Sequence, residues 1–273
     1  MRKGLYMVRT YRSGRVTEKS KYSAGNATKV RAPRTGKGTP PRKQDQNDRA
    51  VVKVVARHIN CNYGHGDLLV TATYDAERLK NLTNGLIDEG RGIGDAEIRE
   101  AAIRERNRFL RRVKLDMRKQ GLELKFIAVT ADVDGETKKT VRIHHHIIVP
   151  KEAREFIIKH WGEDCLDIKP LRDEQDYTQV AVYLMSQVRR QPDLRKFSTS
   201  RNLEKPIITE ELVYDASELA APHNANVRER VYCPESDTQY LRYIEPPPKA
   251  PKRGGKKLGD TAPFQGAHKV LRR

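Results

Sequence analysis

The amino-acid sequence predicts an α+β fold, in which helices cover one face of a mainly antiparallel sheet of about five strands. Short β-branched segments alternate with longer segments of helical periodicity between residues 51 and 205. An Asp-Gly pair at 134–135 separates two of the strand candidates and predicts a hairpin. We expect the other face of the sheet to stay open for a ligand.

The predicted elements follow in the order strand, helix, strand, strand, helix, strand, helix. Glycine or proline ends each helix. The four strand candidates are 67–74, 123–133, 141–149 and 165–171. The three helices run from Asp95 to Gly121, from Pro150 to Gly162, and from 176 to 191 before Pro192. Asp95 is the expected N-cap of the first helix. Its apolar stripe consists of Ala102, Phe109, Leu110, Val113 and Met117.

Positive charge is concentrated at the two ends of the chain. The sequence holds 54 basic and 36 acidic residues, a net charge of +18. This excess falls in residues 1–50 and 246–273, so the region between them is neutral. We predict a basic, largely irregular N-terminal arm (1–50), a central domain (51–205), an accessory extension (206–245) and a basic disordered tail (246–273). Such arms attract polyanions, although they could equally be solubilising tails.

Cysteine usage and hydropathy indicate the compartment. Cys61, Cys165 and Cys233 lie far apart, without a C-x-x-C pair, which argues against a disulfide framework or a zinc ribbon. The sequence has no long apolar run and no apolar N-terminal signal. We therefore expect a cytoplasmic protein without a membrane partner.

The stretch VRIHHHIIV at 141–149 places three histidines on a strand candidate. Alternate side chains of a strand share a face, so His144 and His146 point one way and His145 points the other. Two imidazoles at this separation can bind one metal ion, or they can simply hydrogen-bond each other or solvent. Asp132, at the end of the preceding strand, is the best candidate for a third ligand, unless it is merely solvated.

Two tyrosines of the last predicted helix differ in position. At about 100° per residue, Tyr177 falls within the apolar stripe and is expected to be packed. Tyr183 falls on the opposite flank, among polar residues that include Gln187. It is either an ordinary boundary residue or a nucleophile. Only about 0.1% of a tyrosine with a pKa near 10 is ionised at neutral pH, so attack on a phosphodiester would need help from a cation.

Taken together, these motifs resemble the HUH-type rolling-circle replication initiators. The closest likeness is to replication-associated proteins of filamentous and spiroplasma phages and related plasmids, and it covers roughly residues 17–208. The matching segments are LLVTATY (68–74), HHHIIV (144–149), AVYLMSQ (181–187), SRNL (200–203) and RHIN (57–60). The resemblance implies a ferredoxin/RRM-like HUH endonuclease fold, with Tyr183 as the nucleophile. It also implies Mg²⁺ or Mn²⁺ at His144 and His146, with Asp132 as the nearest carboxylate.

The resemblance further implies a nickase that cuts single-stranded origin DNA and forms a 5′-phosphotyrosine link. A host polymerase and a host helicase would then be partners, since no phosphate-binding loop for ATP is present. Arg189, Arg190 and Arg201 are the expected DNA-binding residues. Ser186 stands where many members have lysine, and either arginine that follows it could replace that charge. The alternatives are a relaxase, a single-tyrosine transposase, or a non-catalytic nucleic-acid-binding protein.

Overall fold

The structure, a computed structural model, describes residues 4–24, 41–88, 90, 94–190, 195–214 and 217–246. These residues form ten strands and five helices. The strands are β1 Tyr6–Ser13, β2 Val16–Ser23, β3 Leu68–Ala72, β4 Ile127–Val133, β5 Thr140–Val149, β6 Leu166–Pro170, β7 Phe197–Thr199, β8 Ile207–Val213, β9 Asn226–Cys233 and β10 Thr238–Ile244. The helices are α1 Pro41–Asn62, α2 Ala76–Asp88, α3 Asp95–Lys119, α4 Arg154–Trp161 and α5 Thr178–Ser186.

The central sheet has the order β6-β3-β5-β4-β7, and every neighbouring pair is antiparallel. The predicted hairpin joins β4 to β5. Its turn is fixed by Asp134, whose carboxylate accepts hydrogen bonds from the backbone N–H groups of Glu136 and Thr137 and from the Thr137 hydroxyl. The predicted antiparallel α+β sheet is therefore confirmed.

Helices cover both faces of this sheet, so the prediction of helices on one face only is wrong. Even-numbered residues of β4, such as Ala128, share a core with α3 and α4. Odd-numbered residues, such as Val129, share a second core with α1 and α5. Two helices account for the difference: α1 was missed, because it begins inside the segment predicted to be an irregular arm, and α5 packs on the face that was expected to stay open.

Helix α3 matches its predicted limits closely, and all five residues of its apolar stripe are buried. It begins at Asp95, with Gly94 rather than Asp95 at the N-cap position, and Gly121 follows its end with a positive φ of 73°. Helix α5 is shorter than predicted and ends at Ser186, well before Pro192. The end of β4 explains this early stop, since the carbonyl oxygen of Gln187 accepts hydrogen bonds from the N–H groups of Asp132 and Val133.

A second five-stranded antiparallel sheet has the order β8-β1-β2-β10-β9. It joins the N-terminal segment to the 206–245 extension, so the prediction of a largely irregular 1–50 arm is wrong for the described residues 4–24 and 41–50. The turn between β1 and β2 requires Gly14, because φ is 59° and a Cβ there would collide with the carbonyl oxygen of Asn60. Residues 25–40 and the predicted tail 247–273 lie outside the described residues.

Buried ion pairs join the second sheet to the helices α1 and α5. Arg57 of α1 forms a two-pronged pair with Glu18 of β2, at 2.8 and 2.9 Å. Arg242 of β10 lies 2.5 Å from Asp176, whose other carboxylate oxygen accepts hydrogen bonds from the backbone N–H and hydroxyl of Thr178. Asp176 thus binds Thr178, the first residue of α5, and the second sheet at the same time.

Candidate metal and nucleophile site

His144 and His146 project from β5 toward α5. His146 is almost fully buried and pairs with Thr71 of β3 on one side and Val129 of β4 on the other. The two Nε2 atoms are 3.2 Å apart. The strand alternation predicted from the sequence is therefore confirmed, and the two imidazoles converge on one point.

Hydrogen bonds on the far side of each ring determine what these nitrogens present to that point. Nδ1 of His144 lies 2.9 Å from the carbonyl oxygen of Arg142, which can only accept, so Nδ1 carries a proton and Nε2 is the ring nitrogen that a cation could use. Nδ1 of His146 lies 3.1 Å from the Thr71 hydroxyl. Burial, and to a smaller extent His144, lowers the pKa of His146 to about 4, so this ring is neutral at physiological pH. Such outer hydrogen bonds are typical of metal-ligating histidines.

Gln187, directly after α5, completes the group. Its Oε1 lies 3.3 Å from Nε2 of His144 and 3.3 Å from Nε2 of His146. Its Nε2 is buried and has no hydrogen-bond partner among the described residues, so the amide is positioned by its oxygen alone. The helical periodicity placed Gln187 beside Tyr183, but the sequence analysis sought a carboxylate as third ligand and missed the amide.

The three atoms fit one divalent cation. The point equidistant from them lies about 1.9 Å from each, close to the ~2.0–2.2 Å bonds that nitrogen and oxygen ligands form with such ions. Without a cation or a shared proton, the lone pairs at this point repel one another. Imidazole nitrogens suit Zn²⁺ and other transition-metal ions, and a carbonyl-type oxygen suits Mg²⁺ and Mn²⁺, so this set of donors does not select one divalent ion. Within the described ranges no group of three His, Cys, Asp or Glu side chains could hold a metal ion, so a cation at this point would need the amide oxygen as a ligand.

Asp132 is not the third member of this group. Its carboxylate lies 3.0 Å from Arg99 and 3.4 Å from Arg189, and it accepts the backbone N–H of Arg189. It belongs to the even-numbered residues of β4, which face α3, whereas the histidine pair faces α5. The register of the hairpin, which the sequence does not reveal, pairs Thr130 with His145 and so places the face of Thr130 and Asp132 away from His144 and His146.

His145 has a structural role on the opposite face. It is fully buried, and its ring nitrogens lie 2.9 Å from the Tyr74 hydroxyl and 3.0 Å from the Thr130 hydroxyl. Burial, reinforced by Arg106, lowers its pKa well below the usual value and keeps the ring neutral. This residue therefore bridges β3 and β4 through the α3 face of the sheet.

Tyr183 lies beside the histidine pair, and Tyr177 does not. The Tyr183 ring packs edge-on against His146, with 5.4 Å between ring centroids, and the side chain is 49% exposed. Tyr177 is buried, and its hydroxyl donates to the carbonyl oxygen of Arg172 at 2.9 Å. The predicted difference between the two tyrosines is confirmed.

Asp167 and Lys169 of β6 border the site on the same face. Asp167 pairs with Thr71, which in turn pairs with His146, so the three residues form a row across the sheet. Lys169 lies 2.6 Å from Asp167, and both side chains are exposed. The pKa of Lys169 is raised chiefly by its hydrogen bond to Asp167, and Tyr183 adds a smaller effect. The sequence analysis did not single out either residue.

The cation next to Ser186 is Lys138, from the hairpin between β4 and β5, and not an arginine. Its Nζ donates to the carbonyl oxygen of Ser186 at 2.9 Å and also to that of Gly135. Both arginines expected to supply this charge are bound to acids: Arg189 to Asp95 and Asp132, and Arg190 to Asp45 and Asp48.

Arg201, the third expected DNA-binding residue, lies away from the histidine pair. It lines a pocket with Lys114 and Arg118 at the end of α3. The structure thus brings together His144, His146 and Tyr183 of the predicted site residues, and it separates Asp132 and Arg201 from them.

No family model, curated protein or solved structure matches this chain significantly. Among the described residues, no helix is long and apolar enough to cross a membrane.

Proposed function

We propose that the chain is a metal-dependent tyrosine DNA endonuclease and strand transferase that initiates rolling-circle replication. The observation that carries the proposal is the contact between the half-exposed Tyr183 ring and His146, whose Nε2 converges with Nε2 of His144 and Oε1 of Gln187 on one cation-sized point. A nucleophile and a cation site within one ring contact are the parts that phosphoryl transfer needs.

The strand order of the central sheet supports the same proposal. Numbered from β3 and without β7, the order is 4-1-3-2, the antiparallel arrangement of a split β-α-β fold. We assign it to the ferredoxin/RRM-like HUH endonuclease type. In this assignment the two imidazoles come from the third strand, and the tyrosine comes from the helix after the fourth.

The proposed reaction exchanges one phosphodiester for another. The Tyr183 oxygen attacks the phosphorus of the scissile linkage and loses its proton to solvent, to which the side chain is open. The bond from phosphorus to the 3′ oxygen breaks, and that oxygen takes up a proton. The products are a 5′-phosphotyrosine and a free 3′ hydroxyl. Attack by a 3′ hydroxyl on the phosphotyrosine reverses the steps and rejoins the strand.

His144, His146 and Gln187 would hold Mg²⁺ or Mn²⁺, which supplies Lewis-acid stabilisation of charge on the phosphate oxygens. The exposed Lys169 ammonium, on the same face, would bind the phosphate and keep the strand against Tyr183. The free 3′ hydroxyl would serve a host polymerase, and a host helicase would unwind the duplex.

Covalent attachment tests the proposal directly. Single strands that tile the replicon carrying the gene are labelled at their 3′ ends, incubated with the protein and Mn²⁺, and separated on a denaturing gel. We expect a labelled band that survives SDS attached to protein and disappears with a chelator. Tyr183→Phe should abolish this band, while the matched variant Tyr177→Phe should retain it.

Two results would refute the proposal or part of it. If wild-type protein forms no adduct on any strand, the proposed enzyme activity is refuted, and only the alternative of a non-catalytic nucleic-acid-binding protein remains. An adduct that persists in Tyr183→Phe would refute the assignment of the nucleophile. The products of strand joining distinguish a replication initiator from a transposase. An initiator yields sealed circles, whereas a transposase requires transposon ends.

A further inference from the structure

The exposed face of α3 carries cations that the proposed chemistry does not use. Five basic side chains of this helix make no hydrogen bond, ion pair or ring contact with another described residue. They are Arg108, Arg111, Arg112, Lys114 and Arg118. At about 100° per residue they occupy roughly 160° of the helix, directly opposite the buried stripe. We name these five residues the α3 basic face.

Acidic residues do not balance this charge. Between 107 and 119 the helix has one acid, Asp116, and that carboxylate is bound by Lys119, Lys159 and His160. An ordinary solvated helix face mixes both signs at a spacing of three or four residues. Uncompensated repulsion among five cations destabilises the helix and is relieved when a polyanion binds.

We propose that the α3 basic face binds the phosphate backbone of duplex DNA, on the side of the central sheet opposite Tyr183. From Arg108 to Arg118 the helix extends about 15 Å, a length over which a duplex presents roughly nine negative charges. Asn81 and Asn107 share a pocket of about 480 Å³ with Arg108 and Arg111, between α2 and α3. Their amide groups add uncharged donors for phosphate oxygens.

The composition of the face favours a duplex over other polyanions. Single-strand binding surfaces combine cations with exposed aromatic rings for base stacking. The one aromatic residue of α3, Phe109, is fully buried. Acidic protein partners need an apolar centre, and the face offers only Leu115. A uniform row of cations without stacking or apolar anchors matches a regular double-stranded backbone.

This inference goes beyond the proposed function, since it gives the protein a second DNA contact while the single strand occupies the Tyr183 face. The two faces are separated by the sheet itself, with His145 and Thr130 on the α3 side and His144 and His146 on the other. The protein would therefore hold the duplex next to an origin while its catalytic face works on the exposed strand.

The salt dependence of duplex binding tests this inference. The triple variant Arg108→Gln/Arg111→Gln/Arg118→Gln removes three charges of the face. The control Arg12→Gln/Lys151→Gln/Arg228→Gln removes three exposed charges elsewhere, from side chains without ion pairs or hydrogen bonds in the described residues, so both variants have the same net charge. Affinity of the full chain for an unrelated duplex and for one of its strands is measured over a range of salt concentrations.

For the duplex, we expect the slope of the logarithm of the binding constant against the logarithm of the salt concentration to become shallower by about two to three units in the α3 variant and by less than about one unit in the control. Nicking of short single strands should be unchanged in both. Equal slopes in the two variants, or an equal loss of affinity for the single strand, would overturn the inference. If the slope changes as expected but wild type forms no tyrosine adduct, this inference stands and the proposed function fails.

Discussion

The side-chain oxygen of Gln187 lies 3.3 Å from Nε2 of His146, so the end of helix α5 supplies a ligand atom to a pair of strand-borne imidazoles. Tyr183 precedes Gln187 by four residues, about one helical turn. The proposed nucleophile and the proposed third ligand are therefore carried by the same short segment. Any movement of this segment changes both at once.

Removal of the amide should weaken the cation site without unfolding the protein. We expect Gln187→Ala to reduce the affinity for Mn²⁺ at least roughly tenfold, since one of three ligands is lost. Gln187→Glu, which keeps an oxygen there, should bind Mn²⁺ as well as wild type or better. Isothermal titration measures both, and Gln179→Ala, an exposed glutamine of the same helix, is the control. Equal affinity in Gln187→Ala would exclude Gln187 as a ligand.

Asp132→Asn should destabilise the fold and leave the metal affinity intact. Its carboxylate neutralises Arg99, which is only 4% exposed, and a buried charge that loses its partner typically costs about 3–5 kcal/mol. Asp95→Asn removes the exposed partner of Arg189 and should cost less than about 1 kcal/mol. Urea unfolding measures the stability of both variants, and titration with Mn²⁺ measures their metal affinity. A loss of Mn²⁺ affinity in folded Asp132→Asn would restore Asp132 as a ligand.

Substitutions at the neighbouring residues His145 and His146 should have opposite effects on stability and on metal binding. His145→Phe leaves the Tyr74 and Thr130 hydroxyls without their ring partner, at a cost of roughly 2–4 kcal/mol in unfolding free energy, while Mn²⁺ still binds the folded protein. His146→Ala should lose Mn²⁺ binding and the covalent adduct. Denaturant unfolding and metal titration of the two variants are compared side by side. If His145→Phe is as stable as wild type, the structural role assigned to His145 is wrong.

His58 should make the fold sensitive to mild acid. Burial lowers its pKa below the usual value, and its Nδ1 has no hydrogen-bond partner in the described part of the chain. Below about pH 6.5 the unfolded chain takes up a proton that the folded chain refuses, so the free energy of unfolding falls as the pH falls. Between about pH 7.5 and 5.5, wild type should therefore lose more stability in urea than His58→Gln. An equal loss in both proteins would contradict this prediction.

Much of the central sheet could be predicted because its signals are local. The hairpin at Asp134, the stripe of α3 and the alternation of His144 and His146 all depend on neighbouring residues, and the structure has each of them. The difference between Tyr177 and Tyr183 likewise follows from helical periodicity alone. Local patterns thus located the nucleophile candidate and two of the three ligand atoms.

What the sequence did not predict depends on contacts between distant segments. Gln187 lies beside the histidine pair because the end of α5 is held against β4. The carbonyl oxygen of Gln187 accepts hydrogen bonds from the backbone N–H groups of Asp132 and Val133. The strands β1 and β2 carry many charged residues, and their pairing partners are β8 and β10, about 200 residues away. Charge composition suggested an irregular arm, whereas the partners that order these strands are visible only in the fold.

The shared sheet of the two chain ends has a consequence for biosynthesis. The hairpin of β1 and β2 is synthesised before the other described elements, yet β10, its neighbour on one side, begins at Thr238. At about 5–20 residues per second, the residues from Ser23 to Thr238 take roughly 10 to 40 s to translate. Until β8 is made the β1 edge of the hairpin is unpaired, and the β2 edge stays unpaired until β10 and its Arg242, the partner of Asp176, are made. The helix that carries Tyr183 therefore gains its contact with Arg242, through Asp176, only after β10 is made, and shorter chains lack this contact.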